Sequence, residues 1–182
     1  MTMLPDKAIR EAVWPTNGAK PTVFVPEERL ERFGAIVDQQ IQPASLDVRL
    51  GAEFIQHPFG EAISLRDGGV WTLRPGKCLL ASLVERLDMR ASNVAARIEG
   101  KSSWARQFLT VHSAGFIDPG FWGDVTLELK NDGERDLLLR PGVMIAQISF
   151  HFLAAGAERL YGEGGLQSHY QGQIGTTEAW HG

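Results

Sequence analysis

Short apolar or alternating runs, cut by proline and glycine, fill most of the chain. In Ser45-Leu46-Asp47-Val48-Arg49-Leu50, three apolar residues alternate with three polar ones, the period of two expected of a half-buried strand. Similar runs fall at residues 54–56, 70–73, 77–83, 94–99, 125–130, 136–139 and 143–152. Many short strands with frequent turn signals predict a mainly β domain, an all-β barrel or a jelly-roll-like sheet. Helix is sparse. Residues 6–13 predict one short helix with Asp6 near its start, and residues 26–33 a second, opening on Pro26 and two glutamates and stopping at Gly34. A third is expected over residues 102–108. Residues 14–25 read as irregular linker. The tail from Gly162 is rich in Gly, Gln, Ser and Thr, too polar to build core, and is expected to be mobile.

Leu-Arg-Pro-Gly occurs twice, at residues 73–76 and 139–142, each time before an apolar run. Pro followed by Gly suits the two central positions of a type II turn, so each copy predicts strand, tight turn, strand. Two similar hairpins of independent origin explain the pair as well as a shared ancestry does.

At 182 residues the chain is long enough for one domain with a substantial core. A hydrophobic share of 43% and a charged share of 22% are ordinary for a globular protein. A net charge of -4, with no lysine- or arginine-rich run, argues against a nucleic-acid or anionic-membrane partner. No apolar run reaches the ~18 residues of a membrane span, and the N-terminus has no apolar secretory core. The single cysteine, Cys78, fits a reducing, cytoplasmic setting, and its apolar neighbours predict a buried core position.

The chemistry-bearing residues concentrate between Glu99 and Leu129. Gly100-Lys101-Ser102 resembles the end of a phosphate-binding P-loop, but Ala95 stands where that motif needs glycine, so a P-loop is excluded. Lys101, Ser102, Ser103 and Arg106 still group charge and hydroxyls within two turns, which suits a polyphosphate; a solvated turn capped by serine is the plainer alternative. In Val125-Thr126-Leu127-Glu128-Leu129, Val125, Leu127 and Leu129 share one face and Thr126 and Glu128 the other. Glu128 is either an ordinary exposed carboxylate or, if its face lines a cleft, a general base. Asp118, before proline, is a turn former or a site carboxylate. Zinc deaminases need His-x-Glu with Pro-Cys-x-x-Cys, and one cysteine cannot supply it. His57, His112, His151, His169 and His181 show no ligand spacing, and no Gly-x-Ser-x-Gly elbow is present.

These segments together resemble the dCTP deaminases and their relatives, the trimeric dUTPases. The likeness runs from Gln42-Pro-Ala-Ser-Leu-Asp-Val-Arg-Leu-Gly51 through Glu99-Gly-Lys-Ser-Ser and Arg106. It continues in Ala114-Gly-Phe-Ile-Asp-Pro-Gly-Phe121 with Thr126-Leu-Glu128, and ends at Tyr161 and Tyr170-Gln-Gly-Gln173. The resemblance implies a distorted jelly-roll-like β-barrel of the dUTPase type over residues 1–160. Residues 1–40 would be its N-terminal helices and linker, and residues 161–182 a flexible tail closing over a triphosphate. It also implies a homotrimer.

By the same resemblance Glu128 is the general base for deaminating dCTP at C4, deprotonating water and relaying the proton to the leaving amine without zinc. Ser102 and Arg106 orient the water and the glutamate. Backbone groups around Ala114 read the pyrimidine, Gly115, Phe116 and Thr126 belong to the nucleoside-binding hairpin and strand, and Asp118 contacts the sugar. Lys101, Ser103, Gln147, Tyr161, His169 and Gln173 hold phosphates, with Mg²⁺ bridging phosphate oxygens. Gly115-Phe116 resembles the bifunctional enzymes that go on to dUMP, with Asp118 positioning a second water; strictly deaminating members have His-Arg there. The chain departs from the family in lacking one Thr in the base-reading loop, which bears on dTTP feedback, in having His169 for a lysine, and in residues 14–25. A dUTP-releasing deaminase, a dUTP diphosphatase and a non-catalytic nucleotide sensor remain the alternatives.

Overall fold

The structure, a computed structural model, describes residues 2–56, 60–112 and 115–180. In chain order the elements begin β1 (Thr2–Met3), α1 (Asp6–Val13), β2 (Val23–Phe24), α2 (Glu27–Phe33), a 3-10 turn (Asp38–Gln40), β3 (Ile41–Gln42), β4 (Ser45–Gln56) and β5 (Ile63–Ser64). They continue with β6 (Trp71–Leu73), β7 (Cys78–Asp88), β8 (Val94–Gly100), α3 (Ser102–Ala105), β9 (Leu109–His112), β10 (Phe116–Ile117), β11 (Trp122–Asn131), β12 (Leu137–Leu139) and β13 (Met144–Phe152).

The main sheet runs β10-β8-β13-β4-β7-β11-β9, with β1, β2, β3 and β5 pairing along its strands. It curls until its two ends approach: a Cβ on Gly100, at the end of β8, would lie 3.2 Å from Val111 of β9. Inside the curl, Leu46, Leu50, Phe54, Leu83, Leu127 and Phe150 are fully buried. Burying each such side chain stabilises by about 1.5–3 kcal/mol. The fold is thus mainly β, a distorted jelly-roll-like half-barrel with a few short helices. No helix among the described residues is long and apolar enough to cross a membrane.

The helices follow their sequence signals. In α1, Ile9 and Val13 lie one turn apart and are buried, while Arg10 pairs with Asp6 and Asp38 on the outer side. Helix α2 starts after Pro26 and stops at Gly34, whose φ of 66° leaves the helical region. It buries no residue of its own and is held by arginines instead. Helix α3 covers one turn, shorter than the 102–108 expected.

Four expectations need correction. Strand β4 is not half-buried: Asp47 and Arg49 are 6% and 7% exposed, because the Lys101 turn and the N-terminal segment cover the polar face. Arg49 donates to Glu85 at 2.7 Å inside that cover. Cys78 is only half-buried, since it opens β7 at the rim of the sheet. The linker 14–25 contains β2, which pairs with β7. The two Leu-Arg-Pro-Gly turns do form, with Gly76 and Gly142 at φ 71° and 89° and i to i+3 hydrogen bonds. They are not hairpin turns, however. Strands β6 and β12 pair with each other, and each turn hands the chain from that small sheet to the large one.

Candidate active site

Strand β11 carries Glu128 between the buried Leu127 and Leu129. Its register partners are Leu80 of β7 and His112 of β9. The residue is half-buried and its Oε2 is shielded from solvent, so it is not the ordinary exposed carboxylate of a solvent-facing strand. Thr126 sits on the same strand, opposite Ser82, and its Oγ1 accepts a hydrogen bond of 3.1 Å from the Thr177 backbone N–H. The expected alternation fails just before it. A β-bulge between Asp124 and Thr126 leaves Val125 half-buried and turns Asp124 fully inward.

The turn after β8 brings the cationic and hydroxyl groups. Gly100 lies against Val111, next to His112, so this turn, β9 and the Glu128 strand are neighbours in one chain. Trp104 Nε1 donates to the Met144 carbonyl at 3.0 Å and pins α3 to β13. Ser102, Ser103 and Arg106 are exposed. Lys101 is not a free cation: its Nζ pairs with the buried Asp47, whose other oxygen, Oδ1, is buried and has no hydrogen-bond partner among the described residues. Gln147 is half-buried on β13, in register with both Asp47 and Glu99.

A third group gathers at the turn after β10. Gly115 accepts a hydrogen bond from Ile98 N–H at 3.1 Å, and Phe116 pairs with Arg97 while its side chain stays 48% exposed. Asp118 is exposed at the start of the Pro119-Gly120 turn, where its carbonyl accepts from Phe121 N–H. Tyr161 N–H donates to the Pro119 carbonyl at 2.8 Å, and its ring meets Phe121 edge-on at 5.7 Å. Asp118 and Tyr161, 43 residues apart in sequence, are thereby brought to one turn. Ala114 lies outside the described residues, as do His57 and His181.

Among the described residues beyond Gly162 there is neither helix nor strand, yet this stretch packs along β11. Gly172 N–H donates to the Trp122 carbonyl at 2.7 Å and Asp124 N–H to the Gln173 carbonyl at 2.9 Å. Gln173 therefore lies beside Asp124, and Thr177 beside Thr126, two residues from Glu128. His169 is exposed and stacks on Trp180, with ring centroids 3.9 Å apart. Asp124 and Glu53, which hold this tail, and Arg29 and Arg86, which pair with Asp124, were not singled out by sequence reasoning. Gly123 inside a strand was the available sign of a bulge there.

Among the described residues no three His, Cys, Asp or Glu side chains converge as a metal cage.

Residues 27–153 match the family model described as dCTP deaminase-like. The chain is 41% identical over 155 residues to a Bifidobacterium adolescentis protein named dCTP deaminase, dUMP-forming, covering 76% of this chain and 80% of that one. A Corynebacterium glutamicum protein of the same name is 40% identical over 164 residues, covering 81% and 85%. Among solved structures, 2'-deoxycytidine 5'-triphosphate deaminase from Agrobacterium tumefaciens superposes with a TM-score of 0.65 at 22% identity. The match covers 82% of this chain and 47% of that one, so this chain spans about half of that protein's length. With a family model covering its central residues and relatives of this identity, the chain belongs to the dCTP deaminase-like family.

Proposed function

We propose that this protein deaminates dCTP at C4 of cytosine and cleaves the triphosphate, so that dCTP and two waters give dUMP, pyrophosphate and ammonia. Relatives of 40–41% identity that bear the name dCTP deaminase, dUMP-forming support the reaction. The observation that carries the residue assignment is Glu128, half-buried on a strand flanked by β7 and β9, with Oε2 shielded from water. Glu128 takes a proton from water as the oxygen adds to C4 and passes it to N3. It then moves the remaining hydroxyl proton to the amine, and ammonia leaves as the C4 carbonyl forms.

Ser102 and Arg106 orient the water and the glutamate, and the backbone at Ala114, with Gly115, Phe116 and Thr126, frames the nucleoside. Asp118 holds the sugar and positions the second water at the α-phosphate. Ser103, Gln147, Tyr161, His169 and Gln173 contact the phosphates, Lys101 joins them by exchanging its Asp47 ion pair for a phosphate oxygen, and Mg²⁺ bound on the phosphates would supply charge neutralisation. In this scheme the site is completed between copies of a homotrimer, because Ser102, Arg106 and Phe116 face outward from a single chain. Sedimentation is expected to give the mass of three 20.1 kDa chains; a fully active monomer would refute this.

Incubation with dCTP and Mg²⁺, followed by chromatography, tests the reaction. The expected products are dUMP and pyrophosphate with little free dUTP, an expectation that rests on Gly115-Phe116. Stoichiometric dUTP without pyrophosphate would assign a dUTP-releasing deaminase instead. Unchanged dCTP that nevertheless binds tightly would favour a nucleotide sensor.

A further inference from the structure

The buried Asp124 is built into more than a structural ion pair. Its carboxylate is fully buried and meets two arginines from different elements. Arg29 of α2 pairs with both oxygens, and Arg86 of β7 reaches them at 2.8 and 3.3 Å. Arg29 also donates to the Leu83 and Val84 carbonyls, and Arg86 to Glu28. The remaining acceptor capacity of Asp124 goes to the tail, where Gly175 N–H donates to Oδ2 at 2.7 Å. Burial pushes the Asp124 carboxyl up, but Arg86, Arg29 and the Gly175 N–H outweigh it and hold it below the ordinary carboxylate range. The group is therefore ionised at neutral pH.

The neighbouring tail residue is seated as firmly. Thr176 N–H donates to Glu53 Oε1 and its Oγ1 to the Glu53 carbonyl at 2.9 Å, and Thr176 is 9% exposed. Gly175 has φ 75°, and a Cβ there would lie 2.5 Å from Glu53 Oε1, so the seat fits glycine. Upstream, Gln173 hydrogen-bonds to both the N–H and the carbonyl of Asp124. One buried residue thus fixes the tail through its backbone and its carboxylate. Helix α2, which buries nothing of its own, contributes one of the two arginines paired with that carboxylate.

We infer that Asp124 is a positioning residue. Paired with Arg29 and Arg86, it seats residues 173–176 so that the tail stays packed along β11 beside Thr126 and Glu128, and it thereby sets how tightly the triphosphate is held. This rests on the reading of the tail as the cover of the triphosphate. It also gives the N-terminal helix α2 a part in substrate binding.

The test uses the full-length chain in two variants that unseat the tail from opposite sides. Asp124→Asn removes the charge; Gly175→Ala leaves the core charges in place and strains the tail alone. Hydrogen exchange of a peptide covering residues 172–177 is read against one covering β7, and kcat and KM for dCTP are measured in parallel. Both variants are expected to exchange about 10-fold faster in the tail, with β7 unchanged in Gly175→Ala. Both should also raise KM for dCTP about 10-fold at nearly constant kcat, the sign of lost uniform binding. Tail exchange unchanged in Gly175→Ala overturns the seat, whatever Asp124→Asn does to the fold. Faster exchange with an unchanged KM overturns the positioning role. If the wild type fails to turn over dCTP, the proposed function falls, and the exchange arm still decides whether Asp124 seats the tail.

Discussion

Glu128→Gln is expected to stop ammonia release from dCTP while leaving the fold and nucleotide binding almost unchanged. Glutamine keeps the size of the side chain and can still hydrogen-bond beside Leu80 and His112, but it cannot accept a proton from water at neutral pH. Loss of a general base costs about 10²- to 10⁴-fold, and more where the same carboxylate serves both addition and elimination. Leu127 and Leu129, both buried, anchor the strand on the opposite face, so the melting transition should barely move. Steady-state ammonia release and calorimetric dCTP binding, measured side by side, separate catalysis from affinity. A peripheral carboxylate would behave differently, changing stability by less than about 0.5 kcal/mol and leaving the rate alone. Deamination by the glutamine variant at the wild-type rate would move the search for the base to Asp118.

Ending the chain at Leu160 should leave the barrel folded and cut kcat/KM for dCTP by about 10²- to 10⁴-fold, the loss expected from two hydrogen bonds to charged groups of about 1.5–3 kcal/mol each. The bonds in question are those assigned to Tyr161 and Gln173. Among the described residues after Leu160 only Thr176 is buried, so little core is lost. Asp124 keeps Arg29 and Arg86 as partners when the Gly175 N–H is gone, so the truncation leaves no isolated buried charge. Circular dichroism and kinetics on the shortened chain check both halves of this expectation. Unchanged kinetics would show the tail to be dispensable.

These two experiments probe parts of the molecule that were unequally legible in the sequence. Helices α1 and α2 were readable because their signals are local: Asp6 near the start of one, Pro26 and Gly34 at the two ends of the other. Most strands were readable from alternation, which reports on the nearest neighbours along the chain. Alternation could not say what covers the second face. Asp47 and Arg49 looked like solvent positions in β4, yet Lys101 and Glu85, distant in sequence, take them up as buried ion pairs. The pairing of β6 with β12 was invisible for the same reason, since each Leu-Arg-Pro-Gly turn looks complete by itself. In the candidate site, the apolar run left Glu128 open between an exposed carboxylate and a base, and only the family resemblance chose between them, because its half-buried setting depends on β7 and β9. Asp124 was missed because a register irregularity, two residues of β11 against four of β7, interrupts the alternation there and leaves Asp124 buried and Val125 half-buried. The tail looked too polar to pack, and by side-chain burial it nearly is. It is held through backbone N–H groups, which composition does not report.

The central claim is that one protein both deaminates dCTP and cleaves the triphosphate, each with its own water. Running the reaction in H₂¹⁸O and weighing the products tests it most directly. The account predicts dUMP carrying one ¹⁸O at C4 of uracil and a second on its phosphate, with unlabelled pyrophosphate and one ammonia per nucleotide. Label confined to the base of accumulating dUTP, or to the phosphate of dCMP with no ammonia released, would contradict it.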